Sequence, residues 1–178
     1  MKLKGEAEKE FGEVKRINPE DTQAHINLGV LLVELKRYGE AEKELREVKR
    51  INPEGAEAHN NLGVLLVELK RYGDAEKEFG EVKRINPEDT QAHNNLGLLL
   101  HEKLNRFEDA KKEYKKVIRI NPENAQAHYN LGNLLRQLEE YDMNFYKRSF
   151  FEILSVGFPV FNMELHNVPF RTSWTLLV

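Results

Sequence analysis

Residues 24–53 read AHINLGVLLVELKRYGEAEKELREVKRINP, and residues 58–87 read AHNNLGVLLVELKRYGDAEKEFGEVKRINP. The two stretches differ at four of thirty positions. A third copy, AHNNLGLLLHEKLNRFEDAKKEYKKVIRINP at 92–122, carries one extra residue. A fourth begins AQAHYNLGNLLRQLEEYD at 125–142 and then loses the pattern, while GEAEKEFGEVKRINPE at 5–20 matches only the second half of a copy. The Asn-Pro pairs at 18–19, 52–53, 86–87 and 121–122 recur at intervals of 34, 34 and 35. A fixed period of this length is the mark of a stacked array.

Each copy holds two apolar stripes. Leu28, Leu31, Leu32 and Leu35 fall at i, i+3, i+4 and i+7, one face of a helix. Ala41, Leu45 and Val48 form the second stripe, and Pro53 then stops the helix. Gly29 and its equivalents lie inside the first helix, where glycine costs about 1 kcal/mol relative to alanine. Recurrence at every period points to close approach by a neighbouring helix. No helix pair buries both faces alone, so the pairs must stack. The expected fold is all-α, a solenoid of helix–turn–helix units. Its expected extent is 1–142: a half repeat at 1–20, repeats at 22–55, 56–89 and 90–124, and a partial repeat at 125–142. Residues 143–178 form an atypical tail.

The pattern resembles the tetratricopeptide repeat, whose 34-residue unit carries Leu-Gly, an aromatic, Ala and Pro at fixed offsets. Here these are Leu28-Gly29, Tyr38, Ala41 and Pro53, then Leu62-Gly63, Tyr72, Ala75 and Pro87. The third set is Leu96-Gly97, Phe107, Ala110 and Pro122; the fourth keeps only Leu131-Gly132 and Tyr141. His25, His59, His93 and His128 stand where the family usually has Trp. The resemblance implies a protein–protein interaction scaffold that binds an extended peptide along its concave face.

Two residues before each repeat glycine stands an asparagine: Asn27, Asn61, Asn95 and Asn130. An amide offers two donors and an acceptor, which suits a peptide backbone of any sequence. Neighbouring first helices spaced about 10 Å apart would present one amide to every third residue of a strand advancing about 3.3 Å per residue. Matching asparagines form such a ladder in the peptide-binding superhelix of the O-linked N-acetylglucosamine transferases. Around the ladder the inner face is expected to carry Ile26, Val30 and Val33, then Asn60, Val64 and Val67. Asn94, Leu98 and His101 follow, and then Tyr129, Asn133 and Arg136, with Glu34, Glu68 and Glu102 along the border. An apolar floor with an acidic edge suits a neutral or basic segment, and its change to polar residues gives that segment a direction. The clamp by which co-chaperone repeats hold a C-terminal carboxylate needs Lys and Arg here. Ile26, Val30, Gln91 and Asn95 do not provide them.

Other chemistries lack support. The four repeat histidines recur about 10 Å apart, and zinc collects its ligands within about 2.1 Å, so no shared metal or other cofactor is expected. His101 has no cysteine or second histidine beside it. No Gly-rich phosphate loop, HExxH or GxSxG occurs, so catalysis is not expected. Net charge of −3 gives no footprint for nucleic acid. The absence of cysteine excludes disulfides and fits a reducing compartment. A charged N-terminus and the lack of an apolar run of about 20 residues give the expectation of a cytoplasmic protein off the membrane.

The charge distribution breaks near Met143. Residues 143–178 hold only five of the 57 charged side chains but six of the nine Phe and the only Trp, Trp174. In the fourth copy Asn144 replaces Ala, and Arg148 replaces the large apolar residue. Residues 139–155 are expected to form an amphipathic helix with Tyr141, Phe145 and Phe151 inward. Beyond it, GFPVFNMELHNVPF reads as an extended apolar run, either a cap or a ligand for a groove. The extra residue around Lys103–Asn105 is expected to loosen one turn without moving the stripes beside it. Two alternatives to peptide binding follow from these breaks: weak self-association through uncapped solenoid ends, or a nonfunctional fragment of a larger array.

Overall fold

Each Asn-Pro pair ends a helix. Proline excludes the preceding residue from the α region, and Asn52 and Asn86 accordingly leave it at φ/ψ of −131/86° and −133/92°. The asparagine side chains then brace the turn. Asn18, Asn86 and Asn121 Oδ1 accept the backbone N–H of Glu20, Glu88 and Glu123 at 3.3, 3.2 and 3.1 Å. The following helices start on caps, with Asp21, Asp89 and Asn124 accepting from the N–H of Ala24, Ala92 and Ala127 at 2.8, 2.8 and 2.9 Å.

A computed structural model of the protein describes residues 2–157, with side chains for residues 3–147. The described elements are α1 (Lys2–Ile17), α2 (Thr22–Glu34), α3 (Tyr38–Ile51), α4 (Ala56–Glu68), α5 (Tyr72–Ile85), α6 (Thr90–Glu102), α7 (Phe107–Ile120) and α8 (Ala125–Gly157). Helices α2–α3, α4–α5 and α6–α7 are the three complete pairs. They pack in chain order, each pair on the next, with α1 on α2. The chain divides into two units, residues 1–138 and 139–178.

Within a pair, the second helix presses its largest side chain onto the glycine of the first. A Cβ placed on Gly29 would lie 3.0 Å from Leu45, and one on Gly63 or Gly97 would lie 2.5 Å from the rings of Phe79 or Tyr114. That contact offsets the helix cost of glycine. Leu45, Phe79 and Tyr114 are buried, along with Ala41, Ala75 and Ala110 one turn earlier.

The turns within the first two pairs close with Lys36 and Lys70 at φ 59°. Lys36 N–H reaches Val33 C=O and Arg37 N–H reaches Leu32 C=O, both at 2.9 Å, the Schellman arrangement. A left-handed residue other than glycine costs about 1–2 kcal/mol. Lys36→Gly and Lys70→Gly should therefore each stabilise the protein by about 1 kcal/mol in urea unfolding; unmoved midpoints would show that these turns hold no strain. In the third pair Asn105 takes the left-handed position, and Arg106 N–H reaches back to Leu100 C=O at 2.8 Å. The inserted residue is absorbed there, and Ala110 and Tyr114 stay buried.

The fourth copy makes no turn. α8 runs unbroken through Glu139 and Glu140, where the other copies carry a left-handed residue. The sequence explains why: Asn144 and Arg148 replace the residues that would pack a second helix onto Gly132. Without that packing, two good helix formers continue the helix. Tyr141 and Phe145, expected to face inward, are exposed at 54% and 68%. The Phe151 side chain, residues 158–170 of the apolar run and Trp174 lie outside the described residues.

Candidate functional site

The first helices α2, α4 and α6 lie side by side and share one open face. Val30, Val64 and Leu98 occupy the same place on each, and they are 39, 40 and 36% exposed while the leucines flanking them are buried. Val33 and Val67 lie half-buried against the main core. Between α4 and α6 this face sinks into a depression of about 270 Å³, lined by Val64, Val67, Glu68, Asn95, Leu98 and Glu102 among others. Lys4 pairs with Glu34 at 2.7 Å at the other end of the row.

The four asparagines do not occupy equivalent states. Asn27 is half-buried, and its Oδ1 accepts from Gln23 at 3.1 Å. Asn61 is half-buried and makes no side-chain hydrogen bond among the described residues. Asn95 donates to Asn60 Oδ1 at 2.9 Å across the α4–α6 junction. Asn130 is buried and its Oδ1 accepts from Gln126 at 2.8 Å.

Four residues expected on the inner face are buried instead: Ile26, Asn60, His101 and Asn130. The next first helix covers the site of Asn60, as it does the equivalent Ile26, which packs with Val48 and Ala58. His101 is closed in by Gln137, whose Oε1 lies 2.8 Å from Nε2, and by the edges of Phe107 and Tyr114. Asn94 and Asn133 are half-buried, while Tyr129 and Arg136 are exposed.

The repeat histidines, standing where the family has its large aromatic residue, form a second constellation whose partners the sequence did not announce. His25, His59 and His93 are buried at the junctions between pairs, with Nδ1 2.6, 2.7 and 2.5 Å from Glu44, Glu78 and Glu113. Their Nε2 atoms lie 3.0, 2.9 and 3.1 Å from the carbonyls of Pro19, Pro53 and Pro87. Both ring nitrogens thus lie within hydrogen-bond distance of an oxygen, a carboxylate on one side and a carbonyl on the other. Lys15, Lys49 and Lys83, from the preceding second helix, bind the same three glutamates at 2.6, 2.8 and 2.7 Å. Each junction is therefore fastened by one lysine, one histidine, one glutamate and one carbonyl. The visible signal was a glutamate 19 or 20 residues after each histidine. No group of described residues has the geometry of a metal site.

Arginines add a lateral row: Arg37 to Glu8, Arg71 to Glu42 and Arg106 to Glu76, at 2.7, 2.8 and 2.7 Å. Partial burial pushes the Glu42 carboxyl up, but hydrogen bonds from Arg46 and Arg71 outweigh it and hold the group below the usual carboxylate range.

Comparison with known families matches this geometry. Profiles described as tetratricopeptide repeat match residues 5–60 and 56–89, and one described as TPR repeat matches residues 103–138. The chain is a tetratricopeptide repeat protein. Among solved structures, a MamA fragment from Desulfovibrio magneticus RS-1 is similar with a TM-score of 0.67 at 22% identity, covering 85% of this chain and 84% of that one. The first TPR of Spaghetti (RPAP3), bound to the HSP90 peptide SRMEEVD, is similar at a TM-score of 0.62 and 22% identity, covering 66% and 93%. YrrB, a TPR protein with an unusual peptide-binding site, gives 0.60 and 22%, covering 78% and 71%. At these identities the structures share the fold. A comparison with curated proteins found no match. The repeat family is one of protein–protein interaction, and no described helix of this member is long and apolar enough to cross a membrane.

Proposed function

We propose that this tetratricopeptide repeat protein binds an extended segment of a partner protein along the face of α2, α4 and α6. The observation that carries the reading is the open column Val30, Val64 and Leu98, repeated on three successive helices in an otherwise closed core. An apolar row kept in contact with water is a characteristic of interaction sites. The flanking amides supply backbone contacts: Asn27 its Nδ2, Asn61 both atoms, and Asn95 its Oδ1. Asn130 is withdrawn from the ladder by its burial. Glu68 and Glu102 line the depression beside the column and outnumber Lys103, which lines it too, so the segment is apolar with Lys or Arg beside its apolar residues. Two neighbours that hold or are named for peptides support the same reading.

The test is selection from a displayed library of random peptides. Winning peptides should combine apolar and basic residues, and Val64→Glu with Leu98→Glu should weaken their binding at least tenfold, about 1.4 kcal/mol. Both valine and leucine sites are exposed, so the melting curve should barely change. Equal binding by the double variant would place the peptide elsewhere.

A further inference from the structure

The first and last repeat segments of unit 1 are open on matching faces. Residues 5–19 read GEAEKEFGEVKRINP and residues 73–87 read GDAEKEFGEVKRINP, differing at one position. α1 is thus a near-copy of α5, a second-type helix that elsewhere packs on a glycine-bearing first helix. In α5 and its equivalents the valine of this stretch is buried, with Val48 at 2% and Val82 at 0%, yet Val14 of α1 is 38% exposed. Phe11 is half-buried, where its counterpart Phe79 is closed over Gly63.

The opening part of α8 shows the complementary defect. Gly132 is the fourth repeat glycine, and an added Cβ there meets nothing within 4 Å among the described residues. Tyr129 is 66% exposed at the site where Ile26 and Asn60 are covered by the next repeat. His128 keeps its contact with the Pro122 carbonyl at 2.9 Å, but Lys147 stands where the partner glutamate belongs. The glutamate at that place in α1 is Glu10, exposed and with no ion pair among the described residues.

We propose that α1 of one copy packs onto residues 125–138 of another, completing its fourth repeat and joining copies head to tail. Phe11 then covers Gly132, Glu10 meets His128 Nδ1, and Val14 packs beside Tyr129. These match the contacts that Phe79 and Glu78 make with Gly63 and His59 in the second repeat, and that Val48 makes with Ile26 in the first. The two faces differ, so the interface is heterologous and leaves a free face at each end. The occupant is a second copy rather than a foreign helix because the docking stretch repeats, at all but one residue, one that already fits this glycine pattern. The peptide column on α2, α4 and α6 is not used, so the two proposals fail separately.

The experiment is sedimentation velocity of the full chain over a concentration series. The weight-average mass should rise past twice the monomer. A Cβ at Gly132 meets nothing within 4 Å among the described residues, so Gly132→Leu should fill the receiving site, fold with an unchanged or raised melting temperature and stay monomeric. Val14→Asp damages the docking helix and should also be monomeric; Glu10→Lys, on an exposed position, serves if that variant melts early. The decisive sample is the mixture. Gly132→Leu retains an intact α1, and the α1 variant retains Gly132, so together they should form a one-to-one dimer that grows no further. A chain that stays monomeric at every concentration, assembly that survives both substitutions, or a mixture sedimenting as two monomers would overturn the proposal.

Discussion

Phe79→Ala should destabilise the protein by about 3–5 kcal/mol, the largest loss expected from any single truncation in its core. The ring is 1% exposed and lies where a Gly63 side chain would begin, so no neighbour can slide in without moving α4 against α5. Native domains are stable by about 5–15 kcal/mol in total, so this one change should remove much of the margin. Phe79→Leu should cost only about 1 kcal/mol, because Leu45 fills the same place over Gly29 in the first pair. Repeat arrays need not unfold in one step, so hydrogen exchange should accompany denaturant unfolding. The faster exchange is expected to centre on α4 and α5. A Phe79→Ala loss below about 1 kcal/mol would mean that the two helices are not held by this ring.

Glu78→Leu should be the most damaging change among the charged residues, at about 3 kcal/mol. Its carboxylate takes His59 Nδ1 at 2.7 Å and Lys49 Nζ at 2.8 and 2.9 Å, and it is 14% exposed. Leucine keeps the volume but leaves an imidazole and an ammonium unpaired at a closed junction. Glu78→Gln keeps an acceptor for the histidine and should lose about half as much. Urea midpoints of the two variants give the comparison. Near-equal, small losses below about 1 kcal/mol would class the junction with ordinary exposed ion pairs. The consequence reaches the proposed groove, because this junction sets how α4 sits against α2, and hence the alignment of Val30 with Val64.

Much of this was legible before any coordinates, for a physical reason. A 34-residue period forces equivalent residues into equivalent surroundings, so one reading of Leu28, Gly29, Ala41 and Leu45 served three pairs. The open column of Val30, Val64 and Leu98 followed from the same helical arithmetic. The site was less legible. Asn60, Asn94 and Tyr129 hold the same position in their repeats, yet they are buried, half-buried and exposed. What decides among them is the presence of a neighbouring repeat, which no residue announces about itself. His101 was expected on the floor with Val33 and Val67, but Gln137 from α8 reaches over and closes it.

By itself, then, the sequence determined the repeat, its helix pairs, the buried stripes and the close approach of a helix to the glycine of each complete pair. All of these depend on residues close along one chain segment and on a fixed helical pitch. Only the tertiary structure decided how the pairs are fastened together. The lysine–histidine–glutamate junctions draw each lysine from the preceding second-type helix, and the Asn60–Asn95 amide bond crosses from α4 to α6. That α8 continues past Glu139 without a turn was decided there too. A helix turns back only when something is gained by packing, and at Gly132 the residues that would have supplied that gain had already been replaced.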